Sequence, residues 1–477
     1  MTTTVTPRAV PEGDHAPLVK RLMERIDARQ PELNRLDAYW AGRQPAAFLS
    51  SRSREALDQT LQRMAVNIPR LAVESLVERL TVVGWQIEGE HEANPALWTA
   101  WRRSGMEDLS AQVHADALVY GRSFVIVWAD SNSRPTISVE SPQQVAVDVD
   151  PLTREVRAAV KRWEDDGDAH AVLYLPDAVL HMEHPAWSGS GMPTTGWRVT
   201  ERLPNPLGVV PVVPFTNRGR LAEAEGVSEM EDLLPLADGL NKLTADALVT
   251  SEHYARPRRW ATGLELQEDE QGEVINPFSS ESDRLWTSEQ AEARFGQFEP
   301  ASMTGYTDMI ATMTQMLGAL SGLPPHYLGL NGDQPPSADS IRSAEASLVS
   351  RATALQRTMG RSWARVAAMV QAVLTAEDPL AVDVTTLWAS AETRTPAQQT
   401  DSAQKLTDMG VPLSVVLSKS LDWAPEEIRA VSAAQRSEAL NRAAFDLTAA
   451  LQQPQPSAVQ EQTNQQPQPE VTPRAAA

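Results

Sequence analysis

"SGLPPHYLGLNGDQPPSADSIRSAEASLVSRA", residues 321–352, changes character part-way along. As far as Pro336 it is rich in proline and glycine, and from Ser337 onward it has the spacing of a helix. Ser337 suits an N-cap, because its hydroxyl can accept a hydrogen bond from a backbone N–H that the first turn leaves unsatisfied. Beyond it Ile341, Ala344, Leu348, Leu355, Met359, Val366 and Val370 fall close to a heptad repeat, which predicts one long helix that must find a partner along its length. Upstream, a helix from about Ala301 carries Met309, Met313, Met316, Leu317 and Leu320 on one stripe. The first half of the quoted stretch is therefore a loop hung between two helices. Pro324, Pro325, Pro335 and Pro336 reduce the entropy lost on ordering it, while Gly329 and Gly332 permit hinging. Considered by itself, it is a helix-to-helix connection over the surface of one chain.

Outward from this loop, "LAVDVTTLW" (380–388) predicts a short strand, and residues 396–450 read as helices with turns at "DMGVPLS" and "DWAPEE". From residue 451 the chain is a polar Gln/Pro tail with too little apolar surface to fold. On the other side, residues 255–302 return to strand and turn signals, so a small β unit is inserted between two helices. The helix before it starts at a capping box of Ser228 and Glu231, or anew at Pro235, and runs through Leu236, Leu240, Leu243 and Ala247 to about His253.

Between residues 121 and 220 the apolar period is two: "RSFVIVW", "TISVESP", "QVAVDVD", "EVRAAVKRW", "AVLYLPDAVLHM" and "GWRVTERL" read as short strands. "VDVDPLTREV" is a hairpin candidate, since the Asp150 carboxylate can bond to the backbone ahead and Pro151 presets its own φ. Earlier still, Leu18, Leu22 and Ile26 precede Pro31, which starts a second piece with Leu33, Leu36 and Trp40; this predicts a broken helical lead. Leu57, Leu61 and Met64 repeat the pattern, and Leu76 and Leu80 resume it before the strand signal "TVVGWQIEG". Asn94 caps a helix with Pro95 in its first turn, ending near Gly105, and another runs from about Glu107 to Tyr120. The class is α+β, with long helices, a mainly antiparallel sheet and the small inserted β unit.

The chain has 477 residues, room for about two to four modules. It has no cysteine, which excludes disulfides and thiolate metal sites. No apolar run reaches the roughly 18 residues of a membrane span, and "MTTTVTPRAVPEGDHAP" lacks a secretory signal's basic start and apolar core, so residues 1–15 are expected to be a disordered lead-in. The net charge of −21 disfavours a wide grip on nucleic acid, which requires many cations, yet suits solubility or a wall along which a duplex slides.

Candidate chemistry is sparse. There is no GxxxxGK[ST] phosphate loop and no Gly-x-Ser-x-Gly elbow. "HMEHP" spaces His181 and His184 as a helix would for a metal, but it follows a strand signal, where the two side chains point to opposite faces. Asp148 and Asp150 alternate along a strand and could share an ion; a hairpin edge explains them as well. These four residues would centre a metal-dependent hydrolase or nuclease, the alternative from another class; a helical adaptor without a channel is a third. Arg357, Arg361 and Arg365 form an i, i+4 stripe that could follow phosphates, pair with carboxylates of a neighbouring subunit, or be a solvated face. Arg256, Arg258 and Arg259 stand before an acidic run from Glu265 to Glu273, a bipolar patch suited to an interface or to an ordinary exposed hairpin.

Six stretches, in order, resemble the portal proteins of tailed bacteriophages of the SPP1 type. They are "VNIPRLAVESLVERLTVVGW" (66–85), "DALVYGRSFVIVW" (116–128), "ARPRRWATG" (255–263), "GQFEPAS" (296–302), "SGLPPHYLG" (321–329) and "PSADSIRSAEASLVSRA" (336–352), within a likeness covering about residues 15–450. The resemblance implies a portal fold: a wing of residues 16–227 and 338–390, stem helices at 228–255 and 303–320, a clip at 256–302, a tunnel loop at 321–337 and a crown at 391–450. The clip is short for the family.

It further implies a dodecameric ring at one capsid vertex, a passive channel rather than an enzyme, through which double-stranded DNA is packaged and ejected. The tip Asn331, Gly332, Asp333 and Gln334 would line its narrowest part. The large terminase, and later a head-completion connector, would dock on the clip at Arg256, Arg258, Arg259, Trp260 and Trp286. Major capsid and scaffolding proteins are further implied partners. The place is the virion, reached from the host cytoplasm, with no cofactor and no membrane.

Overall fold

The computed structural model describes residues 15–45, 65–90, 92–184, 191–217, 220–255, 259–263, 292–297, 303–330, 337–392, 396–421, 423 and 425–452. The expected helix at Leu57, Leu61 and Met64, the acidic run 265–273, residues 1–14 of the lead-in and the tail from 453 lie outside them. The chain divides into two compact units, one through Gln399 and one from Thr400.

The first unit opens with α1 (Ala16–Trp40), α2 (Ile68–Val77), β1 (Val82–Ile87), α3 (Pro95–Arg103) and α4 (Met106–Tyr120). The expected break at Pro31 does not occur: α1 runs through it. A proline inside a helix costs about 3 kcal/mol. The halves of α1 are held in different cores, Leu22, Met23 and Ile26 in one and Leu33 and Leu36 in another. Burial of each such side chain is worth about 1.5–3 kcal/mol, which outweighs the lost hydrogen bond. Asn94 caps α3 as expected, accepting from the N–H groups of Ala96 (3.0 Å) and Leu97 (3.2 Å).

Strands β2 (Arg122–Ala129), β3 (Pro135–Glu140), β4 (Val145–Val149), β5 (Val156–Asp165), β6 (Asp168–Tyr174), β7 (Ala178–Glu183), β8 (Arg198–Pro204) and β9 (Val212–Thr216) follow. They form a three-stranded sheet, β3-β2-β9, and a five-stranded sheet, β4-β5-β6-β7-β8, antiparallel throughout. "AVLYLPDAVLHM" is not one strand but two, folded back at residues 175–177. The β4–β5 hairpin turns as its sequence predicts, the Asp150 carboxylate accepting from the N–H groups of Leu152 (2.7 Å) and Thr153 (3.2 Å). One face of the five-stranded sheet packs on the first half of α1.

Helix α5 (Leu234–Ala255) begins at the Pro235 alternative, after a short 3₁₀ turn at Glu231–Leu233. Strands β10 (Arg259–Thr262) and β11 (Arg294–Gln297) pair antiparallel as a two-stranded ribbon between α5 and α6 (Thr304–Ser321). Then come a 3₁₀ turn at Pro325–Leu328, α7 (Ala338–Thr375) and β12 (Val384–Trp388), which pairs with β1. The architecture is thus mixed helix and antiparallel sheet, as the sequence indicates.

Helix α7 is the spine of the main core. It finds its partner not in a coiled coil but in sheets and helices: Leu348, Ala352, Met359, Trp363, Val366 and Val370 are buried with residues of β1, β2, β9, α3 and α4. Its first turns do not join this seam, and Ala344 is exposed. A straight helix drifts about 20° per heptad relative to a strict seven-residue repeat, so one seam cannot face one core over its whole length. Three hydrogen bonds fix its register: Ser362 Oγ donates to the Pro214 carbonyl (3.0 Å), Thr386 Oγ1 to the Gly360 carbonyl (3.0 Å) and Gln356 Nε2 to the Arg79 carbonyl (2.8 Å).

At the centre of the core Trp363 meets Phe215, Trp101, Trp85 and His114, with ring centroids 4.6, 4.9, 6.4 and 5.8 Å away. Its indole N–H donates to His114 Nε2 (2.8 Å). The imidazole proton therefore sits on Nδ1. Burial pushes the His114 pKa down to about 3, so it stays neutral.

Helix α8 (Pro396–Asp408) runs across the boundary at Thr400, and α9 (Leu413–Ser420) and α10 (Pro425–Gln452) follow in the second unit. Val416, Leu417 and Ile428 are buried, whereas Leu440 and Phe445 on α10 are exposed.

Candidate functional site

The loop that follows Ser321 is, in its first part, not loose. Helix α6 ends at Ser321, and Gly322 takes the left-handed conformation (φ 70°) that closes many helices. A Cβ here would also stand 3.1 Å from Arg351 Nη1 and 3.3 Å from Ser347 Oγ, so both side chains would have to give way slightly. Leu323 is buried and the Pro325–Leu328 turn lies directly on α6: a Cβ at Gly318 would meet Leu328 at 2.6 Å. Leu323, Tyr327 and Leu328 join Leu317, Ile68, Ala72, Leu233 and Leu240 in a small apolar cluster. Met313 packs against it, whereas Met309, Met316 and Leu320 are exposed; the expected single stripe of α6 therefore covers two faces.

Two arginines fasten this base to the long helix. Arg351, on α7, donates to the Ser321 carbonyl and pairs with Glu229. Burial holds its guanidinium below the ordinary arginine value. Arg79 and Glu345, each about 8% exposed in the side chain, stand 3.8 Å apart. Glu345 also faces His326 Nε2 at 3.5 Å, and Arg79 Nη2 donates to the Tyr327 hydroxyl (3.2 Å) while Nη1 donates to the Ser75 carbonyl (2.9 Å). The 3₁₀ turn closes with Leu330 N–H donating to the Pro325 carbonyl (3.0 Å). At the far end Ser337 caps α7 as predicted, accepting from Ser340 N–H (3.2 Å). Both ends of residues 331–336 are thus fixed on one scaffold. The tip residues Asn331, Gly332, Asp333 and Gln334 themselves lie outside the described residues.

Of the interface residues expected on the inserted β unit, Arg256, Arg258 and Trp286 lie outside the described residues, and only the backbone of Arg259, paired with Gln297, is described. Trp260 is partly exposed and its ring lies over Gly296 of the opposite strand, where a Cβ would collide with it. Phe295, two-fifths exposed at 39%, pairs with Ala261 and so occupies the other face of the ribbon.

The alternative hydrolytic constellation does not come together. Asp148 is on β4 and His181 on β7, with β5 and β6 between them, so the two are three strand spacings of about 4.8 Å apart. Instead of sharing an ion, Asp148 and Asp150 share Arg157, at 3.0 and 3.7 Å, and Asp148 also meets Arg21 at 3.1 Å. Among the described residues no group of three or more His, Cys, Asp or Glu is placed to hold a metal ion. No described helix is long and apolar enough to cross a membrane.

With this geometry established, the family described as "Phage portal protein, SPP1 Gp6-like" matches residues 19–439. The chain belongs to that portal protein family. Among curated relatives, the portal protein of Mycobacterium phage L5 is 30% identical over 404 residues, covering 80% of this chain and 80% of the relative. The portal protein of Mycobacterium phage D29 is 28% identical over 365 residues, 72% of this chain and 73% of the relative. Among solved structures, a chain from the virion of a native gene transfer agent particle matches with a TM-score of 0.45 and 13% identity, over 74% of this chain and 88% of that one. A chain from the neck of the native particle gives a TM-score of 0.45 at 13% identity, over 79% and 94%.

Within this portal-family chain, sequence reasoning missed the clamps at Arg79–Glu345 and Arg351–Glu229. One signal for them existed. Glu345 lies between Ile341 and Leu348 on the apolar side of the long helix, and a carboxylate on a core face requires a buried partner. The identity of that partner, far away in sequence, was not readable.

Proposed function

We propose that this chain closes with copies of itself, twelve by the family resemblance, into a ring at one capsid vertex through which double-stranded DNA enters and later leaves the head. The wing, stem, clip and crown divisions given above are part of this reading. Residues 331–334 line the narrowest part of the channel, and the clip around Trp260 receives the packaging ATPase and then a head-completion protein. The role is structural: the chain contributes a passage and docking surfaces, and the energy of packaging comes from a separate motor. Major capsid and scaffolding proteins are partners of the ring during assembly in the host cytoplasm, and its final place is the capsid vertex of the virion.

The observation that carries this is the anchored loop base. A segment that must hold its place beside moving DNA needs a base that does not move, and Arg79–Glu345–His326 and Arg351–Glu229–Ser321 provide one from both flanking helices. Polar tip residues touch a duplex without gripping it, consistent with the charge of −21.

The chain's lack of cysteine makes a direct test simple. Asp333→Cys supplies a single thiol per copy. In a ring whose tips converge on one axis, a short bis-maleimide joins copies into a ladder of covalent oligomers, and bound duplex DNA passing through suppresses it. Product no larger than a monomer, from material that is assembled, would overturn the placement.

A further inference from the structure

The five-stranded sheet and the long helix each carry a charged feature that is unfavourable within its own chain. The β5–β6 hairpin turns through Asp166 and Gly167, both at positive φ (49° and 87°), the Asp-Gly pairing that a two-residue hairpin turn favours. Around that turn Glu164, Asp165 and Asp168 are all exposed, and Asp165 and Asp168 are directly opposite each other in register. Like charges facing across a strand pair destabilise it. Among the described residues none of these carboxylates has a cationic partner.

The long helix presents the reverse. Arg357, Arg361 and Arg365 are exposed, with i, i+4 spacing that makes neighbouring cations repel. At 100° per residue they stand opposite the buried Met359, Trp363 and Val366. Their Cα atoms span about 12 Å. They too have no ion-pair partner among the described residues, although exposed carboxylates abound in a chain of net charge −21. Two self-repelling clusters of opposite sign on one unit relieve each other in a contact between copies. A closed ring is built from head-to-tail contacts, which require two different and complementary patches on each subunit.

Resting on the ring reading above, we infer that the Arg357–Arg361–Arg365 stripe of one copy docks on the Glu164–Asp165–Asp168 hairpin tip of the next. The contact sets the direction and register of assembly. Solvent-exposed pairs add little affinity individually but steer approach and penalise wrong juxtapositions. The partner is a second copy rather than nucleic acid, since phosphate recognition would leave the acidic hairpin unexplained.

The test is charge exchange in the full chain, with assembly read by native mass spectrometry and folding by circular dichroism. One variant carries Arg357→Glu, Arg361→Glu and Arg365→Glu; the other carries Glu164→Lys, Asp165→Lys and Asp168→Lys, leaving Asp166 to its strained turn. Each alone brings like charges together and loses assembled material by about tenfold at low salt, a difference that shrinks as salt screens it. Mixed one to one, the two variants recover rings in which they alternate, and the six-fold variant recovers rings by itself. Assembly of either three-fold variant at the unaltered level overturns the contact, as does failure of the mixture and the six-fold variant to recover while folded. An arginine variant that assembles normally but loses duplex binding overturns it in favour of nucleic acid. If the unaltered chain stays monomeric the ring reading falls, and this contact with it; if it forms rings, only the contact is at stake.

Discussion

The core around Trp363 and the base of the 321–330 segment are built on opposite plans. The first is large and apolar, with four aromatic residues, Trp363, Phe215, Trp101 and Trp85, around one neutral histidine. The second has a small apolar floor and is held by the pairs Arg79–Glu345 and Arg351–Glu229, whose members also contact Tyr327, His326 and the Ser321 carbonyl. Apolar packing is non-directional and supplies stability. Buried ion pairs supply little net stability, because desolvation offsets attraction, but they tolerate few alternative arrangements. The difference indicates that the molecule is kept folded by one region and kept in position by the other.

The sharpest way to break this comparison is at the apolar core. Trp363→Ala removes a fully buried indole and leaves His114 without its donor, so stability falls by about 5 kcal/mol, the upper end for such truncations, measured by denaturant melts followed through tryptophan fluorescence. Glu345→Ala strands Arg79, which keeps its bonds to Ser75 and Tyr327, and the expected loss is about 3 kcal/mol. Its distinguishing sign is elsewhere: the Asp333→Cys crosslinking pattern changes in Glu345→Ala assemblies prepared under conditions where both proteins are folded.

Acid sharpens the comparison further. The His114 pKa in the folded chain is about 3, below the ordinary 6.5, so the unfolded chain takes up a proton as pH falls through 6.5 while the folded one does not. The stability that this histidine contributes is complete above pH 6.5 and is lost progressively toward pH 3. Between pH 7 and 5 the loss is about 2 kcal/mol. Asp116 works in the other direction: burial and Asp37 raise its pKa to about 6, so its penalty fades on acidification. The measurement is therefore a difference: the gap between the unaltered chain and His114→Gln narrows by about 2 kcal/mol over that range. Smallest is Gly322→Ala, at about 1–2 kcal/mol for a non-glycine residue in the left-handed region.

Much of this was legible locally. Asn94, Asp150 and Ser337 act on backbone groups within three residues, so their caps and turns were readable from neighbours alone. The antiparallel sheets announced themselves by their period, and the inserted β ribbon by the return of strand signals. What failed was decided at a distance. Pro31 looks like a break until two separate cores hold its helix together. Met309, Met316 and Leu320 look like core until the neighbours of α6 are known. Residues 321–330 look like loop because proline and glycine dominate, yet Leu323 and Tyr327 seat them on helices whose contribution no local pattern reveals.

The central claim, which rests on the proposed ring, is that copies of this chain surround a hole with residues 331–334 at its narrowest point. Electron imaging of the purified assembly down its symmetry axis, with Asp333→Cys carrying a gold label, tests it most directly. The account predicts closed annuli admitting a double helix, with label density at the inner rim. Isolated globules, or annuli with the label at the outer edge, would contradict it.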